Sequence, residues 1–162
     1  MKTQEQKSQS SLRVGIARAD ITPPVGIPMV GFAGRGPSIG VHDPLFATAL
    51  VVTDGEKTAA LIGCDLLDLS ATVVAEARRE INARLEIPPM NVTISCTHTH
   101  YGPDSYRSES VDDVAAYGAN LIYRLAGIVQ EAASNMQTAR MGIGWGISDI
   151  GVNRREKRSD GQ

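Results

Sequence analysis

The sequence has little of what marks nucleic-acid-binding and membrane-spanning proteins. Aromatic residues make up 4% of the 162 residues, which is few for stacking on bases. The 16 lysines and arginines are outweighed by 18 aspartates and glutamates, so no basic surface is expected. No apolar run approaches the ~20 residues that span a bilayer. We therefore expect no nucleic-acid partner and no transmembrane segment.

An export signal is also missing from the N-terminal end of the sequence. Residues 1–11 are polar throughout and lack the apolar stretch of a signal peptide. We predict that they form a disordered tail. Either the chain is cytoplasmic as written, or a signal was removed or never captured in this sequence, so the localisation stays open.

Cysteine is scarce as well, with two residues in the chain. Cys64 and Cys96 both lie in apolar, strand-like runs. This placement favours buried thiols over a disulfide, a reactive thiol or a metal ligand.

What is present indicates one folded domain. Hydrophobic residues make up 42% and charged residues 21%, which is ordinary globular usage. Residues 23–44 hold five of the eight prolines and five glycines, which predicts a long loop. The apolar residues in this loop suggest that it packs down in an ordered form, and loops of such length are usually functional or disordered.

Hydrophobic periodicity predicts an α/β fold, in which a mixed β-sheet is layered with two main helices. The apolar runs at 45–53 and 57–64 flank an Asp54-Gly55 hairpin turn and predict strands covered on both faces. Asp68 or Ser70 can cap the first helix, and Asp68 is the favoured cap. The predicted elements are strands from residue 12, at 45–53, 57–64, 91–97 and 139–147, and helices at 70–86 and about 110–136.

Residues 95–103, Ser-Cys-Thr-His-Thr-His-Tyr-Gly-Pro, carry the residues best suited to chemistry. Two of the three histidines, His98 and His100, stand two residues apart at the end of a predicted strand. The period of two would place them on the same face, about 6.5–7 Å apart. Both imidazoles can bind one metal ion, or one can bind it while the other handles a proton, or both can be structural.

Three further residues are weaker candidates. His42 could supply a third metal ligand, although a loop histidine bonded to a neighbouring carboxylate is the favoured interpretation. Asp65 follows an apolar strand and is a candidate functional carboxylate, whereas Asp68 is favoured as a helix cap. Neither a phosphate-binding glycine loop nor a serine nucleophile motif is present in the sequence.

Three segments in the same order resemble the neutral/alkaline non-lysosomal ceramidase family. Residues 14–24, Val-Gly-Ile-Ala-Arg-Ala-Asp-Ile-Thr-Pro-Pro, followed by Gly31-Phe32, look like the opening of that family. Residues 95–103 match its Ser-Gly-Thr-His-Thr-His-Ser-Gly-Pro signature, with Cys96 in place of glycine and Tyr101 in place of serine. Residues 151–154, Gly-Val-Asn-Arg, are similar to its Asn-x-Asn-Arg motif.

The resemblance implies a zinc-dependent amidase that cleaves the N-acyl bond of ceramide to give sphingosine and a fatty acid. By this resemblance His98 would be the first zinc ligand, and His100 would sit beside the metal to orient or protonate reacting groups. Arg154 would point into the site and hold the lipid-like amide substrate or a developing negative charge. The family's remaining zinc ligands and its catalytic serine would lie beyond residue 162.

The resemblance also implies that the chain is the N-terminal portion of a larger α/β sandwich. We interpret residues 12–152 as a partial catalytic domain and residues 153–162 as a charged tail that is mobile or truncated. An incomplete sheet would expose strand edges, so self-association is expected. Two other functions stay open, a metal-dependent hydrolase of another amide or ester and a non-catalytic truncated module that binds metal or a partner.

Overall fold

The computed structural model of the chain describes residues 11–105 and 112–151. Its regular elements follow the predicted order, with a short 3-10 turn at Pro89–Asn91. In chain order the strands and helices are β1 (Arg13–Asp20), β2 (Phe46–Thr53), β3 (Thr58–Cys64), α1 (Ala71–Leu85), β4 (Val92–Cys96), α2 (Asp112–Ser134) and β5 (Gln137–Thr138).

The strands form one mixed sheet in the order β4-β3-β2-β1-β5. β3 and β4 run parallel, and the other neighbouring pairs are antiparallel. The β2–β3 hairpin turns at Asp54-Gly55 as predicted, with Gly55 at a φ of 90°. The Asp54 carboxylate accepts hydrogen bonds from the backbone N–H groups of Lys57 and Glu56, which lower its pKa. The mixed sheet and two main helices confirm the predicted α/β class.

Helix α1 begins at a serine cap. The Ser70 hydroxyl accepts a hydrogen bond from the Val73 N–H at 3.1 Å, which satisfies one of the unpaired donors of the first turn. The preference for Asp68 as the cap was therefore wrong. The helix ends where Glu86 adopts a left-handed conformation, with φ at 56°.

Helix α2 lies over β1 and β2 and is fixed to the end of β1 by two side chains. The Tyr117 hydroxyl donates to the Ile21 carbonyl at 2.7 Å, and the Arg124 guanidinium donates to the Asp20 carbonyl at 2.7 Å. Burial raises the pKa of Tyr117 well above its usual value. The buried residues of α2 include Val114, Gly118, Leu121, Leu125, Ile128 and Ala132, at the spacing of one helix face.

The helices cover one face of the sheet, and this corrects a prediction. The runs in β2 and β3 were expected to be buried on both faces, but within the described residues the second face is open. Ile16 is 62% exposed and Leu61 is 47% exposed on that face. A run of apolar residues predicts which side chains can be buried. It does not show which other part of the protein covers them.

The prediction of a final strand at 139–147 is also wrong. The regular pairing ends with β5, and one further backbone bond joins the Ala139 N–H to the Leu12 carbonyl. Met141, Ile143 and Trp145 alternate as a strand requires, yet they are exposed, Trp145 by 97%. Alternation indicates an extended segment, but a strand also needs a neighbouring strand to accept and donate its backbone hydrogen bonds.

Several predictions fall on residues 1–10, 106–111 and 152–162, outside the described part of the chain. These are the two predicted tails, the first residues of the helix predicted at about 110–136, and the candidate substrate-binding residue Arg154. The proposed domain boundaries stay predictions for the same reason. Neither described helix is both long enough and apolar enough to cross a membrane.

Candidate active site

His98 is held at the end of the parallel strand pair by the segment that follows β3. Its backbone N–H donates to the Leu66 carbonyl at 3.0 Å, and its ring Nδ1 lies 3.0 Å from the Leu67 carbonyl oxygen. Because a carbonyl can only accept, Nδ1 carries the proton in this bond. In the tautomer with this proton on Nδ1, Nε2 is the ring nitrogen that can accept. Metal-binding histidines are commonly oriented by an outer hydrogen bond of this kind.

The backbone of His98 is unusual as well. Its φ is 63°, in the left-handed region that few residues other than glycine adopt. Such a conformation costs on the order of 1–2 kcal/mol and persists where the surroundings determine it. The two bonds to Leu66 and Leu67 are the contacts that hold it, so the fold places this imidazole at an energetic cost.

The structure brings His98 and His100 together, although strand geometry is not the reason. β4 ends at Cys96, so the expectation that both histidines share one face of a strand was wrong. The turn at His98 redirects the chain, and the two rings meet edge to face with centroids 5.2 Å apart. Two imidazoles on one tetrahedral zinc, at Zn–N distances of 2.0–2.1 Å, have centroids about 5 Å apart. The observed pair is therefore compatible with a common ion.

The long loop at residues 23–44 forms the opposite wall of the site. Met29 and Pro103 form an isolated β-bridge, the Val30 N–H donates to the Gly102 carbonyl, and the Asp104 N–H donates to the Pro28 carbonyl. These contacts lay the loop along the segment that carries the histidines. The prediction that this loop packs down in an ordered form is thus confirmed.

A cavity of about 470 Å³ opens between the loop and the two imidazoles. Met29, Val30, Phe32 and Leu67 supply apolar surface, and His98 and His100 supply the polar atoms. His98 is exposed and His100 is half-buried, so both rings are within reach of a solute. An apolar wall with a few convergent polar groups is the usual form of a small-molecule site.

A larger cleft, of about 540 Å³, lies between α2 and residues 21–27. Its chief polar groups are already used by the fold, because Tyr117 and Arg124 bind backbone carbonyls of the chain itself. We therefore assign the chemistry to the histidine cavity.

The weaker candidates have structural roles. The Asp65 carboxylate accepts a hydrogen bond from the Phe46 N–H at 3.0 Å and so continues the pairing of β2 and β3. His42 is exposed and its Nδ1 lies 2.6 Å from an Asp43 carboxylate oxygen, as the favoured interpretation predicted. In residues 11–105 and 112–151, no three His, Cys, Asp or Glu side chains come close enough to hold a metal.

Sequence reasoning missed three residues around the histidines. Gly31 approaches His100 so closely that a Cβ there would lie 2.7 Å from the His100 Cα. Arg35 donates to the His100 carbonyl, 65 residues away in sequence. Asp104, just after the motif, is a buried acid at 3% exposure. Asp104 stands directly after Gly102-Pro103, and an acid at that place is the one sequence signal that could have indicated it. The contacts of Gly31 and Arg35 with His100 have no local sequence pattern.

The two cysteines lie beside the site and are free thiols, as predicted. Cys64 and Cys96 are register partners on β3 and β4. Burial raises the pKa of Cys64 to about 12, and burial also raises that of Cys96 to about 11, both from an ordinary value of 9.0. Since the thiolate is the reactive form, these cysteines are poor nucleophiles and poor metal ligands at neutral pH.

We expect Cys64 in the folded chain to react with a thiol reagent such as iodoacetamide about a thousandfold more slowly at pH 8 than in the unfolded chain. Labelling followed by peptide mass spectrometry, with and without guanidinium, measures the two rates. Raised thiol pKa values also stabilise the fold fully below about pH 9, and this contribution is lost as the pH rises towards 12. Equal labelling in both states would contradict the buried, protonated thiol.

The fold and the site together define a class of protein. It is an α/β protein with a mixed sheet, helices on one sheet face, and an imidazole pair at the carboxyl end of a parallel strand pair. The chain belongs to the neutral/alkaline non-lysosomal ceramidase family, because the model of that family's N-terminal region matches residues 12–158.

Individual relatives agree with this assignment. The chain is 32% identical to a neutral ceramidase of Drosophila pseudoobscura pseudoobscura over 116 residues, covering 68% of this chain and 16% of that protein. It is 30% identical to a neutral ceramidase of Oryza sativa subsp. japonica over 159 residues, covering 91% of this chain and 20% of that protein. The chain therefore spans a fifth or less of these relatives.

The fold is shared with solved structures. The crystal structure of the neutral ceramidase from Pseudomonas aeruginosa matches with a TM-score of 0.68 at 20% identity, over 81% of this chain and 23% of that one. A ceramidase complexed with C2 matches with a TM-score of 0.66, also at 20% identity, over 79% of this chain and 22% of that one. At this identity the comparisons show a common fold.

Proposed function

We propose that the chain supplies the N-terminal part of a zinc-dependent amidohydrolase of ceramidase type, which hydrolyses the N-acyl bond of ceramide. The observation that carries the proposal is the His98–His100 pair, with Nδ1 of His98 bonded to the Leu67 carbonyl and the rings 5.2 Å apart beside an apolar cavity. Family membership and relatives named neutral ceramidases support the same reaction.

His98 is the residue that would bind the zinc ion. The Leu67 carbonyl fixes its tautomer and ring orientation, so Nε2 is the nitrogen that would bind the metal. When bound, zinc supplies Lewis-acid polarisation of a carbonyl and a lower pKa for a bound water. At most two imidazoles converge in the described residues, so the other ligands have to come from elsewhere in the protein.

His100 would act beside the metal rather than as its first ligand. Its ring lies edge to face with both His98 and Phe32, and it lines the cavity. An imidazole in that place can hold or deliver a proton at the amide nitrogen as the C–N bond breaks. Arg154 would hold the substrate or the developing negative charge, as the family resemblance implies.

The apolar wall of the cavity suits the hydrocarbon part of a lipid-like amide. Met29, Val30 and Phe32 form this wall on the loop that faces the histidines. Burying a methylene group against such a surface contributes about 0.8 kcal/mol. The loop would therefore bind the substrate chain while the imidazoles face its polar head.

Zinc titration of the 162-residue chain tests the metal site. We expect weak binding that shifts the ring signals of His98 and His100 in 13C-resolved NMR spectra and leaves those of His42 in place. The His98→Ala change should weaken binding by about two orders of magnitude, more than the usual loss of an outer partner. The His42→Ala change is the matched control and should have no effect, because His42 bonds to Asp43 and does not line the cavity of the histidine pair. Equal zinc binding in the His98→Ala variant would refute the proposal.

A hydrolysis assay tests the extent of the chain's function. We expect no hydrolysis of ceramide by the isolated chain, because a zinc catalyst needs three protein ligands and an open position. Robust, chelator-sensitive hydrolysis by the isolated chain would contradict that expectation. Absence of zinc binding altogether would instead favour a non-catalytic module that binds a partner and no metal.

A further inference from the structure

A set of side chains outside the histidine pair surrounds His100 from the loop side. The Arg35 guanidinium donates a hydrogen bond of 2.5 Å to the His100 carbonyl. The same guanidinium carbon lies 4.7 Å from the Phe32 ring centroid and 4.5 Å from that of Tyr101. Phe32 in turn meets the His100 ring edge to face at 5.3 Å. We call Phe32, Arg35 and Tyr101 the arginine clamp.

We propose that Arg35 is a positioning residue that, through the arginine clamp, holds His100 in its orientation beside His98. The inference rests on the proposed function where it concerns metal binding, and on geometry alone where it concerns the His100 ring. Arg35 would not touch the substrate or the metal.

Three features of the clamp point to this role. The hydrogen bond is charge-assisted and ends on the backbone of His100, so it fixes the residue rather than a mobile side-chain tip. Both aromatic rings are about half exposed or more, so burial alone does not immobilise them. A guanidinium within 6 Å of both ring faces is attracted to each of them. The clamp thus gives order to a surface that has little packing.

The position requires the shape of arginine. A planar guanidinium stacks on aromatic rings and donates in its own plane at the same time, whereas a lysine ammonium is a compact point charge. Tyr101 also stands where the resemblance expects serine, so one of the two rings of the clamp departs from the family motif. Tyr101→Ser therefore removes that ring and restores the residue of the motif.

The test compares Arg35→Ala, Arg35→Lys and Tyr101→Ser variants of the full chain by NMR of the histidine rings and by zinc titration. The chain has three histidines, whose ring signals the His→Ala variants assign. His42 serves as the internal reference for the two Arg35 variants, and His98 for Tyr101→Ser, because Tyr101 and His42 line a common pocket. In Arg35→Ala we expect the His100 ring signals to lose the shift caused by Phe32, and zinc affinity to fall roughly tenfold. Arg35→Lys should retain only part of the His100 ring shift and of the zinc affinity. Tyr101→Ser should change both quantities in the same direction but by less.

Arg18→Ala is the matched control. The Arg18 guanidinium lies 3.4 Å from the Phe46 ring centroid on the open face of the sheet, so its loss removes a comparable cation–aromatic contact away from the histidines. It should leave the His100 signals and the zinc affinity unchanged. If Arg35→Ala fails to fold, the histidine signals collapse to those of an unfolded chain, and the lysine and serine variants carry the test.

The outcomes separate this inference from the proposed function. Unchanged His100 signals and zinc affinity in Arg35→Ala, with binding still lost in His98→Ala, would overturn the clamp and leave the metal site intact. Unchanged zinc binding in His98→Ala and His100→Ala would overturn the proposed function together with the metal-binding part of this inference. A changed His100 ring with parental zinc affinity would likewise overturn the metal-binding part.

Discussion

A Gly15→Ala variant is expected to lose about 3 kcal/mol or more of unfolding free energy, which lowers the thermal midpoint by roughly 10 °C for a chain of this length. Gly15 lies on the helix-covered face of β1, directly below α2. A Cβ at this position would overlap the carbonyl oxygen of Ala132 and lie 2.8 Å from its carbonyl carbon. Because these are backbone atoms of a regular helix, no side-chain rotation relieves the contact.

Two other glycines separate this collision from the general effect of adding a methyl group. Gly63 lies on β3 and Gly127 on α2, and neither has an atom within 4 Å of an added Cβ. Gly63→Ala should be neutral or slightly stabilising, and Gly127→Ala should gain up to about 1 kcal/mol from helix propensity. Thermal unfolding followed by circular dichroism gives all three values. A Gly15→Ala midpoint within a degree or two of the parent would contradict the close approach of α2 to β1.

The fold was predictable from sequence where local pattern decides the structure. The four-residue spacing of Val73, Ala77 and Ile81 predicts the buried stripe of α1, and Asp54-Gly55 predicts the hairpin. The prediction failed where structure depends on a distant partner. Residues 139–147 alternate like a strand but find no strand to pair with among the described residues. The second apolar face of β2 and β3 is uncovered for the same reason, since the covering layer is not encoded in their own pattern.

The residues of the candidate site also divide into those that a local sequence pattern predicts and those that depend on distant contacts. A short motif singled out His98 and His100, because two histidines two residues apart after a predicted strand can be recognised from the sequence alone. The left-handed backbone conformation of His98 could not be predicted from the sequence. It depends on hydrogen bonds to the carbonyls of Leu66 and Leu67, which belong to another segment. Gly31 and Arg35 were missed because each meets His100 across more than 60 residues of sequence. Their importance follows only from distances in the folded chain.

A Gly31→Ala variant is expected to have the largest effect on the site itself. Gly31 has a φ of 107°, and an added Cβ would lie 2.7 Å from both Cα and Cβ of His100 and 2.9 Å from its ring. A methyl group therefore adds backbone strain and displaces His100 from its observed position. We expect a loss of about 3 kcal/mol in unfolding free energy, displaced His100 ring signals, and zinc affinity at least roughly tenfold lower.

The Gly34→Ala variant is the matched control for Gly31→Ala. Gly34 is in the same loop and also has a positive φ, at 74°, but nothing lies within 4 Å of an added Cβ. It should cost only the conformational strain, about 1–2 kcal/mol, with the His100 signals in place. The two variants thus share the backbone penalty and differ in the contact with His100. If both variants moved the His100 signals equally, loop strain rather than direct contact would position that histidine. If neither moved them, the loop would not form a wall of the site, and the apolar surface assigned to the substrate chain would have to be sought elsewhere.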